Sequence, residues 1–462
     1  MPSTDTASIP HNPPRKVWHV GTLTYTAGGL FILFFWLLWG DFAWAMRDRS
    51  VGPVLGLLLK KYGASDLLMG VLMGSLPGAI TMILGPIISC KSDVFRSRWG
   101  RRIPFLFIPT PVAFLAMIGF AFSPALGHSI HVMLGVYSPG LHPCVLTLLA
   151  LFWTTFEVSA IIANAVFGGL VNDVVPKEVC GRFYSIFRLV SLFAGIIFSY
   201  WMFGAAEENM TAIFLGVGIL YGGGFTMMCL NVKEGQYPPP PPDAPSTKGA
   251  LGKMIGAKTY FVECFGQSYY LWYIVALQAV WMSFVPINLF NLFFAKSLGM
   301  DMNDYGKILA LTYGVSLVVS YPLGALADRF HPLRVSLVAL GFYAAAVLWG
   351  GIYATTPRNF AIAATAHGIL SGIWITASAS IGQRLLPAAK FGQYSSACSF
   401  VGAITGMLIP PVVGVFLDAT GHAYRYTYFA AFGLAVLGLA AGVVLHRKFM
   451  QLGGTAQYAA PE

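Results

Sequence analysis

Twelve apolar runs of about 20 residues or more dominate the chain, near 30–60, 66–90, 103–124, 144–171, 183–204, 211–230, 269–295, 305–327, 335–354, 360–380, 394–417 and 426–445. About 20 apolar residues in an α-helix cross the roughly 30 Å hydrocarbon core of a bilayer. The short alternating strands of a membrane barrel are missing from the pattern. The runs therefore predict an all-α membrane protein with twelve transmembrane helices. The longest polar stretch, Asn231 to Ser268, separates the sixth run from the seventh and holds five consecutive prolines, Pro238 to Pro242. Such a segment is stiff, extended and unable to continue a helix. It divides the chain into a disordered tail (1–22), a six-helix bundle (23–230), a linker (231–268), a second bundle (269–446) and a closing tail (447–462). Lys248, Lys253 and Lys258, around Met254, Ile255 and Phe261, suit either a short interfacial helix on anionic lipid or a solvated linker.

The halves echo each other. Val174-Val175-Pro176 is followed by Gly181-Arg182-Phe183, and Leu385-Leu386-Pro387 by Gly392-Gln393-Tyr394, with the same Pro-to-Gly spacing. Ser89-x-x-Ser92-Asp93 has its counterpart in Gly324-x-x-Ala327-Asp328-Arg329. Duplication of this kind predicts two pseudo-symmetric six-helix bundles around a central cavity, the architecture of secondary transporters.

Composition narrows the function. Hydrophobic residues make up 56% of the chain and charged residues 10%, against about 45–50% and 25% in soluble proteins. A soluble enzyme, a coiled coil, a disulfide scaffold and a disordered chain are all excluded. The net charge of +10 has a location: 19 of the 28 Lys and Arg fall in segments on the side of the termini, six in the opposite loops and three within runs. That bias predicts a multi-pass protein of the cell membrane with both termini cytoplasmic, and it accounts for the charge without nucleic acid. The six cysteines are scattered, with no C-x-x-C pair. No phosphate loop, H-E-x-x-H helix or G-x-S-x-G turn occurs. Neither enzyme chemistry, nor a metal, nor a cofactor is expected.

The segment Ser92-Asp93-Val94-Phe95-Arg96-Ser97-Arg98-Trp99-Gly100-Arg101-Arg102-Ile103-Pro104-Phe105 resembles the loop between the second and third helices of the major facilitator superfamily. Its S-R-[WF]-G-[RK]-x-x-P pattern is similar to that of the glycoside–pentoside–hexuronide and sucrose-type cation symporters. The resemblance implies the major facilitator fold. It also implies that Asp93, Arg98, Gly100, Arg101 and Arg102 serve a cytoplasmic gate, with Asp328 and Arg329 as weaker counterparts. Independently, an Asp at a helix end accepts from an Arg or from the amides of a facing helix, and Gly100 permits a tight turn. Lys91 fits a topology signal alone. In sucrose-type relatives an acidic residue lies sixteen positions, an amide nine positions and an Arg five positions before the next loop Asp. Counted back from Asp173, these positions hold Glu157, Asn164 and Gly168. Losing that Arg counts against sucrose itself.

Charged residues inside spans cost at least about 2.5–3.5 kcal/mol and usually face a cavity. Glu157, Asn164 and Gly168 share one helix face, which predicts a water-filled cavity beside the fourth helix. In the first run, Asp41, Arg47, Asp48 and Arg49 interrupt an apolar stretch that Val51 to Leu59 resume. One long helix, kinked at Pro53, buries both parts and is preferred over a helix ending near Trp44. Asp41 and Asp48 then share a face. Arg47 and Arg49 project about 200° apart and cannot enter the same cavity, so one or the other is expected to pair with Glu157. Protonation of Glu157 or Asp48 would break that pair. Arg188 suits either the cavity or a snorkelled position at the cytoplasmic surface.

The second half offers no buried carboxylate. Gln278, Trp281 and Asn288 share one face of the seventh run; His367, Ser371, Trp374 and Ser378 share one face of the tenth. Amides, hydroxyls and aromatic plates suit a polyhydroxyl ligand, and each residue alone also suits ordinary helix packing. His367 alone fits a bonded core imidazole better than a proton carrier. The expected function is secondary active transport of a small polar, sugar-like solute with H+ or another monovalent cation, by a monomer in the lipid bilayer. The alternative is a non-transporting membrane assembly or binding factor for a hydrophobic cofactor, against which the buried charges argue.

Overall fold

The computed structural model describes residues 17–237, 263–387 and 390–461. Twelve helices are long and apolar enough to cross a membrane. In the first half they are α1 (Ala27–Lys61), α2 (Asp66–Val94), α3 (Ile103–Tyr137), α4 (Leu141–Val174), α5 (Lys177–Met202) and α6 (Met210–Asn231). In the second they are α7 (Ser268–Ser297), α8 (Met302–Phe330), α9 (Pro332–Tyr353), α10 (Pro357–Leu385), α11 (Phe391–Ala419) and α12 (Tyr426–Gln451). The chain has the two-bundle architecture of the major facilitator fold. The Pro-rich run, the lysines at 248, 253 and 258, and the first 16 residues lie outside the described residues.

The first helix is continuous over 35 residues, with Thr26 capping the Gly29 amide, Pro53 inside, and Lys60 and Lys61 in its last turn. It packs on α5 and α6, while α3 packs on α4 and α6. In the second half α7 packs on α11 and α12, and α9 on α10 and α12. The halves meet along two seams, α2 with α11 and α5 with α8. Gly70, Gly74 and Gly78 recur every four residues on α2, and a side chain at any of them would press into Pro410 or Met407 of α11. On the other seam a side chain at Gly306 would collide with the Ser199 carbonyl.

Two expectations are corrected. The tail read as disordered to residue 22 forms a hairpin from Trp18, with β1 (Trp18–Val20) paired antiparallel to β2 (Leu23–Tyr25). Gly21, at φ +56°, makes the turn, and Thr22 Oγ1 accepts from the Gln236 amide at 2.8 Å, holding the hairpin to the segment after α6. The third helix runs ten residues past its expected end, to Leu134 before a closing 3-10 turn, because Pro124 is accommodated inside it.

Candidate functional site

Arg47 and Arg49 diverge from α1 into separate cavities, as their spacing requires. A pocket of about 310 Å³ within the first half is lined by Trp44, Arg47, Asp48, Trp153, Phe156, Glu157 and Asn164, among others. Gly168 continues the α4 stripe with open space before it. Arg47 is 3% exposed, and its guanidinium lies 4.0 Å from the Trp44 ring and 5.0 Å from that of Tyr221. A desolvated cation over aromatic faces gains about 2 kcal/mol or more. Its Nε and Nη1 have no hydrogen-bond partner, and its nearest carboxylate oxygen is Asp48 Oδ1 at 4.0 Å.

The expected pairing with Glu157 is therefore corrected: among the described residues Glu157 forms no ion pair with Arg47 or Arg49, although it shares Arg47's pocket. The aromatic cage supplies what a carboxylate was expected to supply. Asp41 is buried in α1 and lines neither cavity, since the face it shares with Asp48 packs into the bundle at that level.

The larger cavity, about 870 Å³, lies between the halves and is lined from α1, α2, α5, α7, α8 and α10. Arg49 Nη1 donates to the Tyr313 hydroxyl at 3.2 Å, with the guanidinium 4.9 Å from that ring. Arg188 also lines this cavity rather than snorkelling away, and its Nη2 donates to Thr376 Oγ1 at 3.2 Å. From the second half come Asn288, His367 and Ser371. His367 Nε2 donates to Asn288 Oδ1 at 3.0 Å, and Nδ1 shares a 3.2 Å hydrogen bond with the Tyr343 hydroxyl. This is the bonded core imidazole. Three other second-half candidates lie elsewhere. Gln278 Nε2 donates to the Cys398 carbonyl at 3.0 Å, bracing α7 on α11. Trp281 and Trp374 pack edge-to-face, 5.8 Å apart, and neither lines the cavity.

The cavity is shut at the end away from the chain termini. Asp418, at the end of α11, accepts from the amides of Asp66 and Leu67 at 2.8 and 2.9 Å. It thereby caps the positive N-terminus of α2 across the two halves. Asp66, fully buried, holds Lys60 Nζ at 2.5 Å, His422 Nδ1 at 2.6 Å and the Tyr424 hydroxyl at 3.2 Å. Asp66, Asp418 and His422 are metal-ligating types close together. Their oxygens already serve amides, a lysine and a hydroxyl, which fits a latch. Ser75 Oγ donates to the Met407 carbonyl, and Lys296 pairs with Glu207.

At the terminal end the charged residues pair within their own half. Arg101 holds both Asp173 oxygens, at 2.9 and 2.6 Å. Arg102, nearly buried, bridges Asp173 at 3.0 Å, Asp93 at 2.6 Å and Ser92 Oγ at 2.9 Å. Glu234, just after α6, accepts from the amides of Arg101, Arg102 and Ile103. Gly100, at φ +106°, is required there, since a side chain would strike Glu234. Arg98 rests on Trp99, and Arg329 on Phe330. The partner of Asp328 is Arg384, at 2.7 Å.

Among the described residues, the hydrogen bonds and ion pairs between the halves lie at mid-depth or at the far end. Sequence reasoning missed Asp66, Asp418, Glu234, Tyr313 and Thr376 as working residues. For Asp418 and Glu234 no signal exists short of the tertiary contact. Ser65-Asp66, by contrast, reads as a helix start.

Residues 271–450 match the family model described as Major Facilitator Superfamily. The MFS transporter asaE of Aspergillus flavus is 24% identical over 210 residues, covering 45% of this chain and 45% of that protein, so the match spans less than half of that relative. A peptide transporter, POT, solved with sulfate, superposes with a TM-score of 0.63 at 15% identity over 93% of this chain and 97% of that one. A D-xylose–proton symporter gives 0.60 at 15% over 90% and 97%. A bacterial homologue of the human lysosomal transporter Spinster, inward-facing and unoccupied, gives 0.60 at 16% over 94% and 98%. At these identities the likeness shows the fold alone. Twelve helices in two bundles, with the family match over residues 271–450, are those of the major facilitator fold.

Proposed function

We propose that this protein is a secondary active transporter that carries a small, hydroxyl-bearing solute of the sugar or glycoside class together with a proton, by alternating access. The observation that carries this reading is the pair of cavities divided by α1: a solute-sized space between the halves, and beside it a pocket holding Glu157, Asp48 and Arg47. With the terminal face cytoplasmic, as the Lys and Arg bias argues, the far-end latch is the outer gate and the described state faces inward. Arg101, Arg102, Asp93 and Asp328 are then at rest within their halves and take up gating roles when that face closes.

Glu157 is the proton site in this reading. Charged, it is drawn toward Arg47, two of whose guanidinium nitrogens have no hydrogen-bond partner; protonated, it leaves Arg47 in its aromatic cage. Coupling follows only if proton and solute favour the same conformations, because a ligand shifts an equilibrium only by its differential affinity. The test is solute-driven proton movement in proteoliposomes containing an internal pH dye, across a solute panel. Wild type should acidify its lumen with at least one solute. Glu157→Gln should keep solute counterflow and lose the acidification. Acidification that survives in Glu157→Gln removes Glu157 from the mechanism, and no proton movement with any counterflow substrate removes coupling.

A further inference from the structure

The central cavity holds two arginines and, in its lining, no Asp or Glu. Among the described residues neither Arg49 nor Arg188 forms an ion pair; their bonds go to the neutral hydroxyls of Tyr313 and Thr376. Arg49 Nε is buried with no hydrogen-bond partner at all. Guanidinium groups stay charged at any physiological pH; Arg49 is half-buried and Arg188 faces the open space of the cavity, so both charges are available there with no carboxylate in the lining to pair with them. The carboxylates at this depth, Asp48 and Glu157, face the other pocket across α1. The helix thus sorts charge: acid with one arginine on one side, two arginines without acid on the other.

We infer that the solute bound in the central cavity carries an anionic group, a carboxylate or a phosphate monoester, held between Arg49 and Arg188. The guanidinium fork matches both oxyanions in a bidentate way. The uncharged part of the solute then meets Asn288 and Ser371, with Tyr184 and Phe187 as flat apolar walls. Each arginine stands on the first half and bonds the second, so an anion that takes over their N–H groups competes with the Tyr313 and Thr376 hydroxyls. Binding would alter the mid-depth link between the halves. The physiological role of such a site rests on the transport reading; the binding itself does not.

The test is equilibrium binding to the purified full chain in detergent, by calorimetry, using gluconate, glycerol 3-phosphate and their neutral counterparts sorbitol and glycerol. At least one anion should bind more tightly than its counterpart, and the carboxylate and phosphate arms show which oxyanion is preferred. Arg188→Gln should weaken that binding about tenfold or more, the loss of a charge-assisted hydrogen bond. Arg188→Lys should recover part of it, which a merely structural role would not give, and Arg49→Gln should act in the same direction. Sorbitol binding as tightly as gluconate, no response to either anion at tens of millimolar, or Arg188→Gln binding like wild type overturns the inference. Anion binding without counterflow of any solute would instead sink the transport reading and leave this one standing. Proton movement driven by neutral solutes alone would do the reverse.

Discussion

The two ends of the molecule use the same chemistry for different purposes. At the far end Asp418 reaches across from α11 to the amides of α2, Lys60 and His422 close on Asp66, and three glycines let α2 lie against Pro410 and Met407. At the terminal end Arg101 and Arg102 pair with Asp173 and Asp93 in the first half, and Arg384 pairs with Asp328 in the second, so none of these pairs crosses between the halves. In the transport reading, links that cross the halves decide which side of the cavity is open. Links within a half hold that half together. The terminal-end residues that resemble a gate are, in this state, braces.

Removing a brace should therefore cost stability, and removing a latch should change access. The largest effect is expected from Gly74→Leu, whose side chain would wedge into Pro410. With Ser316→Cys as a reporter in the central cavity on a cysteine-free background, a membrane-impermeant thiol reagent added at the far side should react manyfold faster than without the wedge. Asp418→Asn follows, since a neutral amide caps the α2 amides more weakly than a carboxylate; the same reporter should speed up, by less. Next comes Asp173→Asn, which strands Arg101 and Arg102 at the terminal end. It should leave far-side labelling unchanged and lower stability by roughly 2 kcal/mol, read as a lower midpoint of thermal unfolding in detergent.

The smallest expected effect is pH-dependent. His331, between α8 and α9, has its pKa held down at about 4 by burial and then by Arg384, Arg334 and His446. A histidine kept neutral in the fold costs stability once the unfolded chain takes up the proton. The protein should be fully stable above about pH 6.5 and lose stability as pH falls from there toward 4. His331→Asn keeps a residue tolerant of φ +75° and able to cap α9. It should flatten that acid limb in a series of melting curves.

Much of this was legible in the sequence, for physical reasons that also mark where legibility stops. Hydropathy found every span because lipid demands a continuous apolar helix. The unbroken α1 followed from having to bury Val51 to Leu59 as well as the residues before Trp44. Helical geometry alone separated Arg47 from Arg49. A shared helix face does not say what the face meets, however: from sequence Gln278, Trp281 and Trp374 suit a cavity or helix packing, and only the tertiary contacts place them in packing and separate Asp41 from Asp48. The cage around Arg47 draws on Tyr221, from a different helix, and that hid how the cation is satisfied. The Asp66–Asp418 latch joins positions more than 350 residues apart, and nothing local announces it.

Alternating access requires the halves to move against each other as rigid bodies. Electron-spin distance measurements would read this directly, with one pair of labels at Leu67 and Phe416 across the far end and another at Phe95 and Phe330 across the terminal end. Introducing Asp418→Asn should lengthen the far-end distance and shorten the terminal-end distance together. A far-end distance that lengthens while the terminal one stays fixed would mean local fraying of α2, and would contradict alternating access in this protein.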